Sequence, residues 1–243
     1  MVQRGVTRDD RQGAGDVGCL RRETTVGMMR ALLAGALLLL GAATASLASA
    51  GPIPPSGRMA FEVLRNGSPI GTHTLRFRRD GEVTEVDIAI DLAVRVLGIT
   101  VYRYTHRNTE RWQGESLLSL TSATDRNGTP LQVRARRNGA AIEVDSSEAG
   151  RYAAPPDLVT TSYWHPGFIR SRKLDTQGGR MLQVTITDRG EETIRALGAE
   201  IVARRWSIAG DLALDIWYDR AGAWSKLRFA AEDGSVIEYV RRE

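Results

Sequence analysis

Apolar and polar residues alternate with a period of two along most of the chain after residue 57. That period is typical of strands that pack one face on a core and turn the other to water. The longest run covers residues 83–96, where Val86, Ile88 and Ile90 begin an apolar face and charged residues fall between them. Turn dipeptides such as Asn66-Gly67 separate these runs at hairpin spacing. The pattern predicts an all-β fold: a single highly curved antiparallel meander or open barrel of about eleven strands, with one short helical insert.

The C-terminal stretch alternates regularly enough to predict a strand register. If Asp219–Gly222 is a four-residue loop, Leu214 faces Leu227 on one side of the sheet. In the same register Trp217 faces Trp224 on the other side, which we expect to face water. Similar residues meet on both faces, and a further turn then completes a closing meander.

One segment, residues 157–173, interrupts the alternation after Pro155 and Pro156. Thr161 or Ser162 would suit the N-cap of a short helix that carries several aromatic residues. We expect this insert to plug or cover the concave side of the sheet.

The strand predicted over residues 100–112 has an unusual inward face. Its even-numbered residues from Tyr102 onward are polar or aromatic. A three-residue turn at Leu97–Ile99 sets Tyr102, Tyr104 and His106 beside Val94, Leu92 and Ile90. We interpret this face as one wall of a pocket, hydrogen-bonding on one strand and aliphatic on the next. The candidate ligand-binding residues are Tyr102, Tyr104, His106, Glu110 and Trp112, together with Trp164 from the insert. The alternative is a barrel mouth, where inward side chains become polar because the core ends.

The N-terminal part of the chain is expected to lie outside the fold. Residues 28–50 have the basic start, short apolar run and Ala48–Ala50 cleavage motif of a Sec-type signal peptide. Residues 1–27 lack periodicity, as an over-extended start of translation would. After a Pro/Gly-rich linker at residues 51–57, residues 58–243 are expected to form one β-barrel-like domain.

The only cysteine, Cys19, lies upstream of the expected cleavage motif, so the mature chain carries no thiol for lipid attachment. We therefore expect a periplasmic protein that is not a lipoprotein and has no transmembrane span in its mature chain. Removing residues 1–50 takes away six Arg and four acidic residues, which lowers the net charge from +4 to about +2. Such a balance gives no indication of nucleic-acid binding.

The sequence carries no recognisable catalytic or metal-binding motif. His73, His106 and His165 are far apart in sequence, and nucleophile and phosphate-loop signatures are missing. Ser162 and His165 lie close together, but a capping serine and a surface histidine explain them more simply. We expect no catalytic residues, no metal ligands and no cofactor, and the sequence favours a binding protein over an enzyme.

Several short motifs together resemble a family of exported bacterial proteins described only as a domain of unknown function. The closing stretch carries Trp217-Tyr-Asp219, Gly222-x-Trp224 and Asp233-Gly-Ser-x-Ile-x-Tyr239. The resemblance covers nearly the whole mature chain, and it implies no activity and no site residues. More distantly, a long curved antiparallel sheet with a short helical insert is similar to the periplasmic lipoprotein carriers and their half-barrel relatives. That analogy concerns the fold and does not fix function.

These observations favour a periplasmic, non-enzymatic protein that binds an apolar, lipid-like molecule. The alternative is an envelope-associated structural or assembly factor with a filled core, and a hydrolase of unknown type comes third. The volume on the concave side distinguishes the first two, because a ligand site needs several hundred cubic ångströms of continuous apolar space. The pattern leaves the oligomeric state open.

Overall fold

The computed structural model describes residues 53–243. The predictions for residues 1–50, the over-extended start and the signal peptide, lie outside the described residues. In chain order the strands are β1 (Arg58–Arg65), β2 (Ser68–Asp80), β3 (Val83–Val96), β4 (Ile99–Gln113), β5 (Ser116–Arg126), β6 (Thr129–Asn138), β7 (Ala141–Ser146), β8 (Gly150–Ala154), β9 (Leu158–Thr160), β10 (Arg172–Leu174), β11 (Met181–Leu182), β12 (Val184–Ala196), β13 (Ala199–Gly210), β14 (Leu214–Asp219), β15 (Trp224–Ala230) and β16 (Val236–Arg241). No helix in these residues is long and apolar enough to cross a membrane.

Thirteen of the strands form one antiparallel sheet in the order β12-β13-β14-β15-β16-β1-β2-β3-β4-β5-β6-β7-β8. Consecutive strands pair as hairpins, while β16 pairs with β1 and so joins the two ends of the described chain. The sheet remains open between β12 and β8, because neither of these edge strands pairs with the other. The predicted all-β class and open antiparallel meander are confirmed, with more strands than the eleven expected.

The extra strands come mainly from residues 155–183, which we call the capping segment. Here β9 pairs in parallel with β10, and β10 pairs with β11 to make a small separate sheet. These strands hold two or three residues each, too few to show a period in the sequence. A single 3-10 turn, Pro166–Ile169, replaces the expected helix, and its N-cap is His165 rather than Thr161 or Ser162. Pro166 occupies the first position of the turn, where its missing N–H costs no hydrogen bond.

The capping segment lies against the concave face of the main sheet. Its Trp164 and Phe168 belong to the main hydrophobic core, with Trp164 edge-on to Phe77 of β2 at 5.2 Å between ring centroids. From strand β14, the Tyr218 hydroxyl donates to the Tyr163 carbonyl oxygen at 2.8 Å. The segment therefore fills the end of the concave side that is nearest Phe77.

The hairpin of β14 and β15 has a different register from the predicted one. Leu227 lies opposite Ile216 rather than Leu214. That shift is two residues, so Leu227 keeps an apolar partner on the same face. The register changes by one more residue beside Tyr218, which brings Trp224 to the inner face and buries it completely.

The expected position of Trp217 on a water-facing surface is also wrong. Its side chain is buried and packs with Ile194 and Ala203 in a second, smaller apolar cluster. The indole Nε1 donates to Glu192 at 2.6 Å. Strands β12 and β13 continue the sheet past β14. Their side chains cover the face of β14 that carries Trp217, which the local alternation predicts to be exposed to water.

Candidate functional site

A cavity of about 720 Å³, partly open to solvent, remains on the concave side beyond the capping segment. The inner faces of β2, β3 and β4 form one wall, β15 and β16 form the opposite wall, and the capping segment closes the deep end. Most of the lining is aliphatic or aromatic: Ile88, Ile90, Leu92, Val94, Leu227, Phe229, Ile237 and Tyr239. The concave side is therefore only partly filled by the protein's own side chains.

Three of the predicted site residues line this cavity, namely Tyr102, Tyr104 and His106. Their cross-strand partners are Val94, Leu92 and Ile90, in the predicted register, and the even-numbered face of β4 points inward. The wall thus changes from aliphatic on β3 to aromatic and hydrogen-bonding on β4. That these three side chains contact a ligand stays a prediction.

The other three predicted residues, Glu110, Trp112 and Trp164, do not line the cavity. They lie in the packed layer beside it, and all three are buried. The carboxyl Oε2 of Glu110 accepts from Trp112 Nε1 at 2.9 Å and from Trp164 Nε1 at 3.3 Å. Oε1 accepts from Asn108 Nδ2 at 2.8 Å. One buried carboxyl therefore ties the capping segment to β4, which is a structural role.

Burial raises the pKa of the Glu110 carboxyl above its usual range, and the hydrogen bonds that it accepts oppose the shift. The Ser162 hydroxyl also lies 3.3 Å from Glu110 Oε2, and it is 2.6 Å from the Thr160 hydroxyl. The Nδ1 atom of His165 accepts from the Gly167 backbone N–H at 3.0 Å. Ser162 and His165 thus serve the local structure separately, and no hydrogen bond joins them in this part of the chain.

The deep wall of the cavity carries polar atoms that no group of residues 53–243 satisfies. His73 is 2% exposed, and neither of its ring nitrogens has a hydrogen-bond partner within residues 53–243. The Oδ1 atom of the buried Asn108 is likewise unpartnered. His73, Ile90 and His106 lie side by side across β2, β3 and β4, so both histidines edge the same space. Unsatisfied buried polar atoms are uncommon in proteins, which makes this wall a candidate site for an external hydrogen-bonding partner.

Both histidines on this wall are neutral at ordinary pH. Burial lowers the pKa of His73 to about 3, and the neighbouring His106 adds to the shift. Burial lowers the pKa of His106 to about 4, with a smaller effect from Arg107. The His106 Nδ1 atom lies 2.7 Å from the Thr124 hydroxyl, which leaves its other ring nitrogen for the cavity. The deep wall therefore offers hydrogen bonds without charge.

Sequence reasoning overlooked His73, although a signal for it was present. It occupies the same strand face as Leu75 and Phe77, both of which are buried. A polar residue on a face with this apolar pattern indicates an inward polar group. His73 is not among the predicted site residues because a single histidine matches no catalytic or metal-binding motif.

The charged side chains that line the cavity are partly or fully exposed, which places them towards its open end. Arg65 donates to Asp233 at 2.6 Å and to the Ser235 hydroxyl at 3.0 Å. Arg126 and Glu232 also lie at this rim. No cluster of three or more His, Cys, Asp or Glu side chains placed to hold a metal ion occurs in residues 53–243.

The family model for DUF6134, a domain of unknown function, matches residues 61–242, which run from β1 to the end of the closing strand. The chain belongs to this family. The predicted membership of a family described only as a domain of unknown function is thereby confirmed. A search of curated proteins finds no match.

Among solved structures, the chain is similar to a β-barrel-like protein of domain of unknown function DUF1849 from Brucella abortus. The TM-score is 0.53 at 9% sequence identity, over 76% of this chain and 94% of that one. At this identity the likeness concerns the fold alone, and it agrees with the barrel-like architecture. The more distant likeness to periplasmic lipoprotein carriers stays a prediction.

Proposed function

We propose that this protein is a periplasmic, non-enzymatic binding protein for a lipid-like molecule. The single observation that carries the proposal is the cavity of about 720 Å³ on the concave side of the sheet. Ligand pockets are usually about 300–1,000 Å³, whereas packed protein interiors contain few voids larger than a water molecule. The size of the cavity therefore favours a binding role over an assembly factor with a filled core.

The lining defines the chemistry of the ligand that we propose. An apolar body would pack on the aliphatic wall, for which Leu92 and Phe229 are representative. A polar group at its inner end would meet His73, Asn108 and His106. Because this inner wall is uncharged, an ionic group there would lose its hydration without a counter-ion. We therefore infer a ligand with a neutral hydrogen-bonding group, such as a hydroxyl, carbonyl or amide.

The proposed location rests on the leader pattern of residues 28–50 and on the absence of cysteine after Cys19. A ligand with a large apolar body is poorly soluble in water, so an exported protein that shields it would have a physical reason for such a cavity.

The first test is extraction of protein purified from the periplasm, followed by mass spectrometry of the extract. We expect a neutral amphiphile in about one-to-one amount, and repeated preparations without any bound amphiphile would argue against the proposal. The second test titrates the neutral fluorescent probe N-phenyl-1-naphthylamine into protein stripped of lipid, where binding should raise its emission.

Matched tryptophan substitutions then locate the binding. Leu92→Trp fills part of the cavity and should lower probe affinity by about tenfold or more. Ala89→Trp places the same bulk on the opposite face of β3, outside the cavity, and should leave affinity unchanged. Equal affinity in both variants, with both folded by circular dichroism, would show that the probe binds elsewhere.

A further inference from the structure

The hairpin of β3 and β4 projects beyond the rest of the sheet. The pairing of β2 with β3 ends at Leu92, and the pairing of β5 with β4 ends at Tyr104. Residues 93–103 therefore have no third strand beside them. At about 3.3 Å per residue, the tip stands roughly 15 Å past the neighbouring strands. We call residues 93–103 the projecting hairpin.

The tip of the projecting hairpin is apolar and faces solvent. Leu97 is 97% exposed and Ile99 is 70% exposed, and Val96 and Val101 are each about half exposed. Elsewhere in residues 53–243 the only other exposed large hydrophobic side chain is Leu197. An exposed apolar cluster of this kind marks a contact surface rather than ordinary scatter of apolar residues.

The fold itself gains nothing from Leu97. Its φ of +52° lies in the left-handed region, where a side chain with a Cβ is disfavoured. Asn66 and Asn127 take the same conformation in two other hairpin turns of this protein, as the chemistry of such turns predicts. A leucine at this position adds no burial and disfavours the turn. We therefore infer that Leu97 serves a contact with another molecule.

The charges within the hairpin itself indicate which partner its tip fits. Arg95 and Arg103 flank the apolar residues, and the sequence has no acidic residue from Leu92 to Thr109. Neither of these guanidinium groups forms an ion pair with any residue of the described chain. An apolar tip with a cationic collar complements an anionic phospholipid surface, which accepts apolar side chains at the boundary between head groups and acyl chains.

We propose that the projecting hairpin docks this protein on an anionic lipid bilayer, with Leu97 and Ile99 inserted below the head groups. Val94, Val101 and Tyr102 of the same hairpin line the open end of the cavity. Docking would thus bring the cavity mouth to the membrane surface. The proposal rests on the exposed tip and its charges, and it holds whether or not the cavity binds a ligand.

Vesicle flotation tests the proposal with purified protein. We expect it to float with vesicles made of equal parts phosphatidylglycerol and phosphatidylcholine. The double variant Leu97→Ser with Ile99→Ser should lower the partition coefficient by about tenfold or more, because two apolar side chains no longer enter the bilayer. The double variant Arg95→Gln with Arg103→Gln should lower it by about thirtyfold on these vesicles and have little effect on pure phosphatidylcholine.

Leu197→Ser supplies the matched control. Leu197 also precedes a glycine and also has a positive φ of 54°, but it lies in the β12–β13 turn, has no large apolar neighbours in that turn and is less exposed. Its replacement should leave flotation unchanged. The wild-type protein remaining unbound to both vesicle types would overturn the proposal. Equal loss of vesicle binding in the Leu97→Ser/Ile99→Ser variant and in Leu197→Ser would also overturn it. A dimer in sedimentation that Leu97→Ser dissociates would overturn it as well, because the tip would then be a contact between subunits.

Discussion

Replacing Glu110 with leucine tests whether one buried carboxyl holds the capping segment on the sheet. The carboxyl accepts hydrogen bonds from Trp112 and Trp164 at 2.9 and 3.3 Å, and from Asn108 at 2.8 Å. Leucine has a similar volume but no acceptor, so it leaves three N–H donors buried without a partner. Each such donor costs about 1–3 kcal/mol, while removal of the carboxyl's own burial penalty offsets part of the loss. We expect the free energy of unfolding to fall by about 3–5 kcal/mol.

Glu110→Gln is the matched control for this substitution. Glutamine keeps one acceptor oxygen for the two indole groups. Its new amide N–H₂ can donate to Asn108 Oδ1, which has no partner within residues 53–243 and comes into reach when the Asn108 amide flips. We expect a cost below about 1.5 kcal/mol.

The raised pKa of Glu110 also predicts that the difference in stability between the wild type and Glu110→Gln depends on pH. Burial raises the pKa of Glu110 in the folded state, so protonation favours folding. This contribution is fully present below the unfolded pKa of about 4.3, and it is lost as pH rises through the folded pKa. Wild-type stability relative to Glu110→Gln should therefore be greater near pH 4 than at about pH 7.

Urea unfolding followed by tryptophan fluorescence measures all three proteins. Glutamine and leucine variants of equal stability would refute the hydrogen-bonding argument. If the difference in free energy of unfolding between wild type and Glu110→Gln does not change with pH, the raised pKa is refuted. The hydrogen-bonding argument would not be affected by that result.

Two further predictions concern the backbone at β2 and the N-terminus of the mature chain. Gly71→Ala should cost at least about 2 kcal/mol in urea unfolding, because its Cβ would stand 1.9 Å from the Asp91 carbonyl oxygen. Gly67→Ala, also at positive φ but with open space around it, should cost only about 1 kcal/mol, and equal losses would contradict the steric argument. N-terminal sequencing of the mature protein should begin at Gly51 if residues 28–50 are a signal peptide as proposed, whereas a mature product that retains Cys19 would exclude the expected cleavage site.

Much of the fold could be predicted because a strand with one buried face imposes its period on the sequence. Strand β3 begins and ends where the alternation does, at Val83 and Val96. The pairing of His106 with Ile90 follows from the turn between β3 and β4. The pairing of Leu227 did not follow, because a slip of two residues returns the same face to the core and the pattern is satisfied by either register.

The candidate site was predictable only as far as the inward direction of its side chains. On β4, Tyr104, His106, Glu110 and Trp112 share one face and one alternation. Tyr104 and His106 border a cavity, whereas Glu110 and Trp112 are packed solid. Nothing in the strand itself distinguishes these two pairs.

The sequence by itself therefore determined the class of the fold, the faces of its strands and the inward position of the polar side chains on β4. Only the tertiary structure decided where the concave side is filled and where it stays open. The capping segment reaches Glu110 from Trp164, 54 residues later in the chain, and it covers one end of the sheet. The alternation of apolar and polar residues predicts whether a side chain is buried. It carries no information on which distant segment packs against that side chain.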